Sequence, residues 1–330
     1  LVTHDLFRKP VPIPDHVRDR LFRDHALSSL HDIVPAQQTL DAAPRGLPIP
    51  WWAKIGAKIV LSRAVPSYRM RKALGLFLHG NLDHNAAQHH SFVKNVLAQH
   101  ARVAGSKAKS LLELGPGNSL GTALFAAAAG VERMWLADVG DFASDDMAFY
   151  RQLAGMVPAY PGHQRINFTD RAAMLASLNA TYLTDGTASL RDIPDGSLDL
   201  ILSTAVLEHV GRTEFPLLAR EMTRLLRPGG TAYHEVDLMD HLGGAQNNLR
   251  FSQATWESPL MAKSGFYTNR LRCREILQIM RDAGFEAALT RVTRWGAPPT
   301  PREALAEPFR ALPDDELLIA NFGMLLRKPG

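Results

Sequence analysis

The run Leu111-Leu112-Glu113-Leu114-Gly115-Pro116-Gly117-Asn118-Ser119 decides how the rest of the chain is read. Four apolar or buried-type residues end on a Gly-Pro-Gly turn, and an alanine-rich stretch, Ser119–Ala129, follows with helical character. A strand, a glycine turn and a helix in that order place backbone amides at a helix N-terminus, where a ligand can approach without meeting a Cβ. The turn is not the dinucleotide fingerprint Gly-x-Gly-x-x-Gly, because Leu120 stands at the third position and the glycine comes one later, at Gly121.

Outward from this turn the pattern alternates. Ser110–Leu114, Met134–Ala137, Thr181–Leu183, Leu198–Ser203, Thr231–Val236, Ala287–Val292 and Leu317–Leu326 read as strands. Helices are expected at Ser119–Ala129, Asp145–Met156, Phe215–Leu226 and Cys273–Ala283. The reading is an α/β fold with a mostly parallel seven-stranded sheet and helices on both faces. Residues 238–269, rich in Gly and Asn, follow the end of a strand and are expected to cover the substrate, since ligands of open α/β sheets bind at the carboxyl edge.

The first hundred residues have another texture. Seven prolines lie between Pro10 and Pro50, then Trp51-Trp52 opens a helical run from about Ala53 to Phe77, which Pro66 must break or kink. A turn at Gly80–Asn81 leads to a second helix near Ala86–Ala104, and no strand pattern precedes Ser110. The expected organisation is a helical N-terminal extension over 1–105 and a cofactor domain over 106–330.

Composition excludes several classes. With 46% hydrophobic and 21% charged residues the chain is ordinary for a globular protein, and no apolar run approaches the ~18 residues of a membrane span. Cys273 is the only cysteine, which excludes an intrachain disulfide and a cysteine-rich zinc site. The charged first thirty residues hold no signal-peptide block, so a cytoplasmic setting is expected. The net charge is +4, part of it gathered in Lys54, Lys58, Arg63, Arg69, Arg71 and Lys72. That stretch, 54–72, reads either as a solvated helix face or as a peripheral contact with the anionic inner membrane.

Leu112-Glu113-Leu114-Gly115-Pro116-Gly117 resembles the first motif of class I S-adenosylmethionine-dependent methyltransferases. The resemblance continues in order through Asp138, Asp185-Gly186, Ile193–Ser203, Val206–Val210 and Leu226–Gly230. It implies a Rossmann-like domain with S-adenosylmethionine as cofactor. The cofactor-binding residues it implies are Glu113, Gly115, Gly117, Asp138 at the ribose, Asp185 near the adenine, and Ser203. Segments 54–63, 74–80, 138–143 and 268–272 are similar to a subfamily of bacterial methyltransferases associated with surface glycans. The expected reaction is therefore O-methylation of a glycan or another small hydroxylated acceptor, with no nucleic-acid partner. A lipid or quinone-like acceptor at the membrane surface, or binding of the cofactor without catalysis, are the alternatives.

A hydroxyl nucleophile calls for a base. His209, just beyond the fourth strand, is one candidate; Asp237 with His241, beyond the fifth, is the other. Asp199, inside an apolar strand, reads as structural. Tyr267, Asn269 and Arg270 are expected to offer hydrogen bonds to an acceptor. No compact His/Asp spacing demands a metal, and none is expected.

Overall fold

The computed structural model describes residues 30, 33–40, 49–64, 82–157 and 166–330. Eight strands form one sheet: β1 (Ala36–Leu40), β2 (Ser110–Leu114), β3 (Arg133–Ala137), β4 (Ala180–Leu183), β5 (Leu198–Thr204), β6 (Leu226–Asp237), β7 (Glu286–Trp295) and β8 (Ile319–Arg327). Their spatial order is β1-β7-β8-β6-β5-β2-β3-β4, parallel except where β8 runs against β6 and β7.

All seven expected strands are present, and the eighth is a correction. Ala36–Leu40 pairs in parallel with β7, from Ala36 beside Arg291 to Leu40 beside Trp295. Its sequence, Ala-Gln-Gln-Thr-Leu, carries little apolar signal, because an edge strand has a neighbour on one side only and one half-solvated face. The N-terminal extension is thus not wholly helical; it closes one edge of the sheet.

Seven longer helices accompany the strands: α1 (Trp51–Ala64), α2 (Leu82–Ala104), α3 (Gly121–Ala128), α4 (Met147–Gly155), α5 (Arg171–Ser177), α6 (Phe215–Leu225) and α7 (Cys273–Asp282). The part of the expected first helix beyond Ala64, including Pro66, lies outside the described residues, as do the turn at Gly80–Asn81 and Arg69, Arg71 and Lys72. Helix α5, capped by Asp170 through the amide of Ala173, was not anticipated; seven residues are too few for a clear period.

Successive strand residues point to opposite faces, so each face has its own core. Leu111, Leu200, Leu202 and Tyr233 pack beneath α2, α3, α4 and α5, whereas Leu112, Ile201, Ala232 and Val236 pack beneath α6 and α7. Helix α6 buries Phe215, Leu218, Ala219, Met222 and Leu225, the stripe expected of a helix with one face inward. Helix α2 packs one face into the core. Val93 and Val96 are buried, the Phe92 ring meets Tyr233 edge-on at 5.8 Å, and His100 Nδ1 lies 2.8 Å from Thr231 Oγ1.

Asp199 ties the central strands at their N-terminal ends. Its Oδ2 accepts from the amides of Lys109 (2.7 Å) and Ser110 (2.9 Å) and from Ser110 Oγ (3.1 Å), while Oδ1 receives the Arg227 guanidinium. Burial would raise the carboxyl's pKa, but the hydrogen bonds from Arg227, Lys109 and Ser110 outweigh it and hold the value below the ordinary one. A depressed carboxyl stabilises the folded state above its unfolded pKa and loses that contribution as pH falls through the folded one. Asp199→Asn is expected to lower stability at neutral pH by about 1.5–3 kcal/mol, the range for hydrogen bonds to a charged group. Urea melts of parent and variant should differ most at pH 7 and converge in strong acid; a gap that stays constant with pH would deny the carboxylate this role.

Candidate active site

The connection order reverses between β2 and β5, since β2 leads outward to β3 and β4 while β5 leads the other way to β6. The crevice at their carboxyl ends is the site. Gly115 and Gly117 turn the chain there with φ of +65° and +64°. A Cβ on Gly115 would meet Val206 Cγ2 at 2.4 Å, so the turn after β2 and the loop after β5 lie against each other. Ala205 in that loop also has a positive φ, +54°, held by its amide's bond to Glu235 O.

Glu113 is buried under this turn, and burial pushes its carboxyl up to about 8, with Thr122 at its side. Its Oε2 has no hydrogen-bond partner. Thr122 Oγ1 in turn lies 2.6 Å from His89 Nε2, which brings α2 under the glycine turn. At the tip of β3, Asp138 accepts from the amides of Gly117 (2.9 Å) and Val139 (2.7 Å). Gly186 donates its amide to Asp138 O at 2.8 Å and packs against Val139, which is 79% exposed. Exposed Asp185 stands beside them, before the 3₁₀ turn Gly186–Asp192, and its side chain makes no cap to that turn. Five of the six expected cofactor residues, Glu113, Gly115, Gly117, Asp138 and Asp185, thus line up along the ends of β2, β3 and β4. Ser203 differs. It is fully buried, and its Oγ lies 2.7 Å from His234 Nδ1, its neighbour in register across β5 and β6.

Beyond β5 and β6 a second group gathers. His209 is exposed and its Nδ1 is 3.0 Å from Tyr267 O. A carbonyl only accepts, so Nδ1 carries the proton and Nε2 the lone pair. The His209 and His241 rings lie 4.8 Å apart between centroids. Near them is Glu208, 1% exposed, whose carboxylate oxygens make no well-formed hydrogen bond and meet only the backbone of Glu208 itself and of Asp237; burial and then the Asp237 charge push its pKa well up. Asp237 ends β6 and accepts from the Met239 amide at 2.8 Å; burial pushes its carboxyl up to about 7. Burial takes His241 down to about 3, with His209 and Lys58 adding to the effect.

The expected cover over 238–269 folds as short helical turns at Asn247–Arg250, Gln253–Trp256 and Pro259–Ala262. Leu242, Trp256, Met261, Phe266 and Tyr267 form its small core, and α1 packs Trp51, Ile55 and Ile59 against it. Asp240 organises the segment by accepting from the amides of Leu242, Gly244, Ala245 and Asn247. Asn269 and Arg270 correct the expectation of ligand contacts. Asn269 Nδ2 donates to Leu207 O and Val210 O, and its amide to Glu208 O, so it fixes the loop that carries Glu208 and His209. Arg270 is buried, donates to Asn248 O, Phe251 O and Gln253 Oε1, and lies over the Trp256 and Phe309 rings. Tyr267 gives its hydroxyl to Glu257 at 2.9 Å.

Sequence reasoning gave Lys58 no role here. Its Nζ donates to His241 O at 2.7 Å, and burial brings its pKa down to about 8. No local motif marks it, since contact across 183 positions has no spacing signature.

Residues 164–234 match the model of a methyltransferase domain family. That stretch holds α5, β4, β5, α6 and most of β6. The chain carries a methyltransferase domain. No curated protein matches the chain. Among solved structures, an O-methyltransferase family protein from Burkholderia thailandensis is 12% identical, with a TM-score of 0.40 over 85% of this chain and 68% of that one. The same organism's 1,6-didemethyltoxoflavin-N1-methyltransferase is 16% identical, with a TM-score of 0.41 over 87% and 94%. An S-adenosylmethionine-dependent methyltransferase from Methanosarcina mazei is 17% identical, with a TM-score of 0.39 over 67% and 92%. At these scores the likenesses carry no argument.

The glycine turn gives a direct test. Gly115→Ala adds a Cβ in a left-handed conformation, at about 1–2 kcal/mol, and drives it into Val206. The variant should melt lower than the parent, and Val206→Ala in the same chain should recover the contact part but not the backbone part. Equal melting of Gly115→Ala and parent would contradict the close approach of the two loops.

Proposed function

We propose that this methyltransferase transfers the methyl group to a hydroxyl of a small polyhydroxylated acceptor, a glycan in the first instance. When bound, S-adenosylmethionine supplies an electrophilic methyl carbon on a sulfonium, and the acceptor oxygen must reach it in line. The residues present fit that cofactor. Glu113 Oε2 is an orphaned buried acceptor beneath the glycine turn, suited to a cationic or amide donor. Asp138, oriented by two amides, suits the ribose hydroxyls, and exposed Val139 offers the adenine an apolar face. Gly115 and Gly117 keep side chains out of the space between.

The observation that carries the hydroxyl reading is the His209, Asp237 and His241 group beside the crevice. A sugar hydroxyl holds its proton at neutral pH, so the protein has to receive it as the oxygen attacks. His209 has its Nε2 lone pair set by the Tyr267 carbonyl, and Asp237 has a carboxyl raised toward neutrality. Either property suits a proton acceptor working near pH 7. The glycan class rests on the resemblance of segments 54–63, 138–143 and 268–272, not on a contact.

Asp138→Ala should remain folded, melt somewhat lower because the amides of Gly117 and Val139 lose their acceptor, and bind S-adenosylhomocysteine at least tenfold more weakly by calorimetry. Unchanged affinity in a folded variant would remove Asp138 from the cofactor site. Asp237→Asn and His209→Gln should keep that affinity. With labelled cofactor and fractionated glycan acceptors, the variant that lacks the proton acceptor should lose turnover by about 100-fold or more. Parental turnover in both would sink the hydroxyl reading in favour of an acceptor already ionised.

One observation favours the lipid-acceptor alternative. Helix α1 exposes Trp52 (63%) and Val60 (64%), eight residues apart and hence on one face. If that face meets the membrane, the protein should sediment with anionic vesicles at low salt and be released as salt rises. No helix among the described residues is long and apolar enough to cross a membrane. Absence of sedimentation at low salt would leave the soluble acceptor.

A further inference from the structure

We infer that Glu208, His209 and His241 form a binding site for a divalent transition-metal ion, Zn²⁺ by its donor set. One carboxylate oxygen and one nitrogen from each ring lie within 4.8 Å of one another. Tetrahedral ligands at about 2.0–2.2 Å from a shared zinc sit roughly 3.3–3.6 Å apart, so the three side chains would draw together by up to about 1.5 Å on binding.

Three features of the cluster ask for a cation rather than for hydrogen bonds. Glu208 is almost wholly buried with both carboxylate oxygens unpartnered, and His241 Nε2 is enclosed and unpartnered as well. Two acceptors of this kind in one place are costly to bury, and each would be satisfied by the same ion. The third feature is the outer arrangement. His209 gives its Nδ1 proton to Tyr267 O, which is how a metal-binding imidazole is usually oriented. The loop holding Glu208 and His209 is itself pinned by Asn269.

Two imidazoles and one carboxylate are the set of a zinc site that keeps a fourth position open. Such a set suits Zn²⁺ over Mg²⁺, which prefers oxygen ligands in an octahedron. His209 lies at the exposed side, so an ion has a path in from solvent. The binding does not depend on the methyl-transfer reading. Its consequence does: an ion there would engage the His209 Nε2 lone pair, so that Asp237, beside Glu208, and not His209 would be the group left to receive a proton from an acceptor hydroxyl.

The test uses the untagged full chain, stripped with a chelator and dialysed. Zn²⁺ added against a chromophoric chelator should be held at one equivalent, and Co²⁺ at the same site should show the intense visible bands of a low-coordinate N/O centre. Glu208→Gln and His241→Gln should each weaken Zn²⁺ binding by about 100-fold or more, and Asn269→Ala by about 10–100-fold. Circular dichroism melts of the stripped proteins control for folding. Glu208→Gln should melt at or above the stripped parent, because it removes a buried unpaired carboxyl. Zn²⁺ binding that is absent from the parent, or equal in folded Glu208→Gln and His241→Gln, would overturn the site. S-adenosylhomocysteine calorimetry on the stripped parent separates the two readings: cofactor binding without zinc leaves the methyltransferase standing, and loss of cofactor binding alone leaves the metal site standing.

Discussion

The carboxylate of Asp199 holds three donors from the start of β2 and the guanidinium of Arg227 from the start of β6. Through it the registers of three adjacent parallel strands are tied at one end of the sheet. Register is what the opposite end depends on, because a slip of one residue would exchange the two faces of a strand. With β2, β5 and β6 in the observed register, Leu114, Ser203 and His234 lie side by side. The turn at Gly115 then meets the loop at Ala205–Val206, and the loop carries Glu208 and His209 into the crevice. Both turns need left-handed residues to leave their strands so abruptly, and the non-glycine one is paid for by a hydrogen bond to β6.

This dependence explains what was legible in the sequence. The strands β2, β3 and β5 are short, mostly apolar runs, as strands buried on both faces must be, and their expected bounds lie within a residue of the observed ones; β6 begins five residues before the expected Thr231, because Arg227-Pro228-Gly229-Gly230 reads as a turn. The glycine turn and Asp138 were legible for the same reason, since they sit at fixed places relative to those strands. β1 was not, because Gln37 and Thr39 on its exposed face are also what a loop would carry. Ser203 was misjudged as ligand-facing because sequence position does not say which way a strand residue points; the register turns it to His234. Asn269 and Arg270 look like ligand-binding side chains, but their partners are carbonyl groups of distant loops, which no spacing rule predicts.

The buried polar groups divide by whether they have partners. Asp240, Asn269, Arg270 and Asp199 are each enclosed and each bonded by several groups, so they set loop shape. Glu113, Glu208 and His241 are enclosed with unpartnered atoms, and all three lie along the carboxyl edge of the central strands. An unpaired polar atom away from water is destabilising unless something else binds it. Buried unpartnered atoms also occur elsewhere, at His100 Nε2, Arg270 Nε and Trp295 Nε1, so what sets this edge apart is that Glu208 and His241 bring theirs close together beside His209.

The matched stretch, 164–234, stops before the cover over 238–269 and begins after α1, α2 and the glycine turn. Yet the surroundings of His209 and His241 are built partly from those outer pieces. Helix α1 packs Trp51, Ile55 and Ile59 on the cover's core and reaches His241 O through Lys58. Lys58 sits near Asp240, which shapes the cover, so one buried cation links the N-terminal extension to two features of the site. Meanwhile β1 fastens the same extension to the far edge of the sheet, beside β7. The extension is therefore held at two points, on the cover and at the edge of the sheet beside β7. On the proposed reading, α1 and the cover are the pieces that vary the surroundings of His209 and His241, while the central strands set the position of the glycine turn.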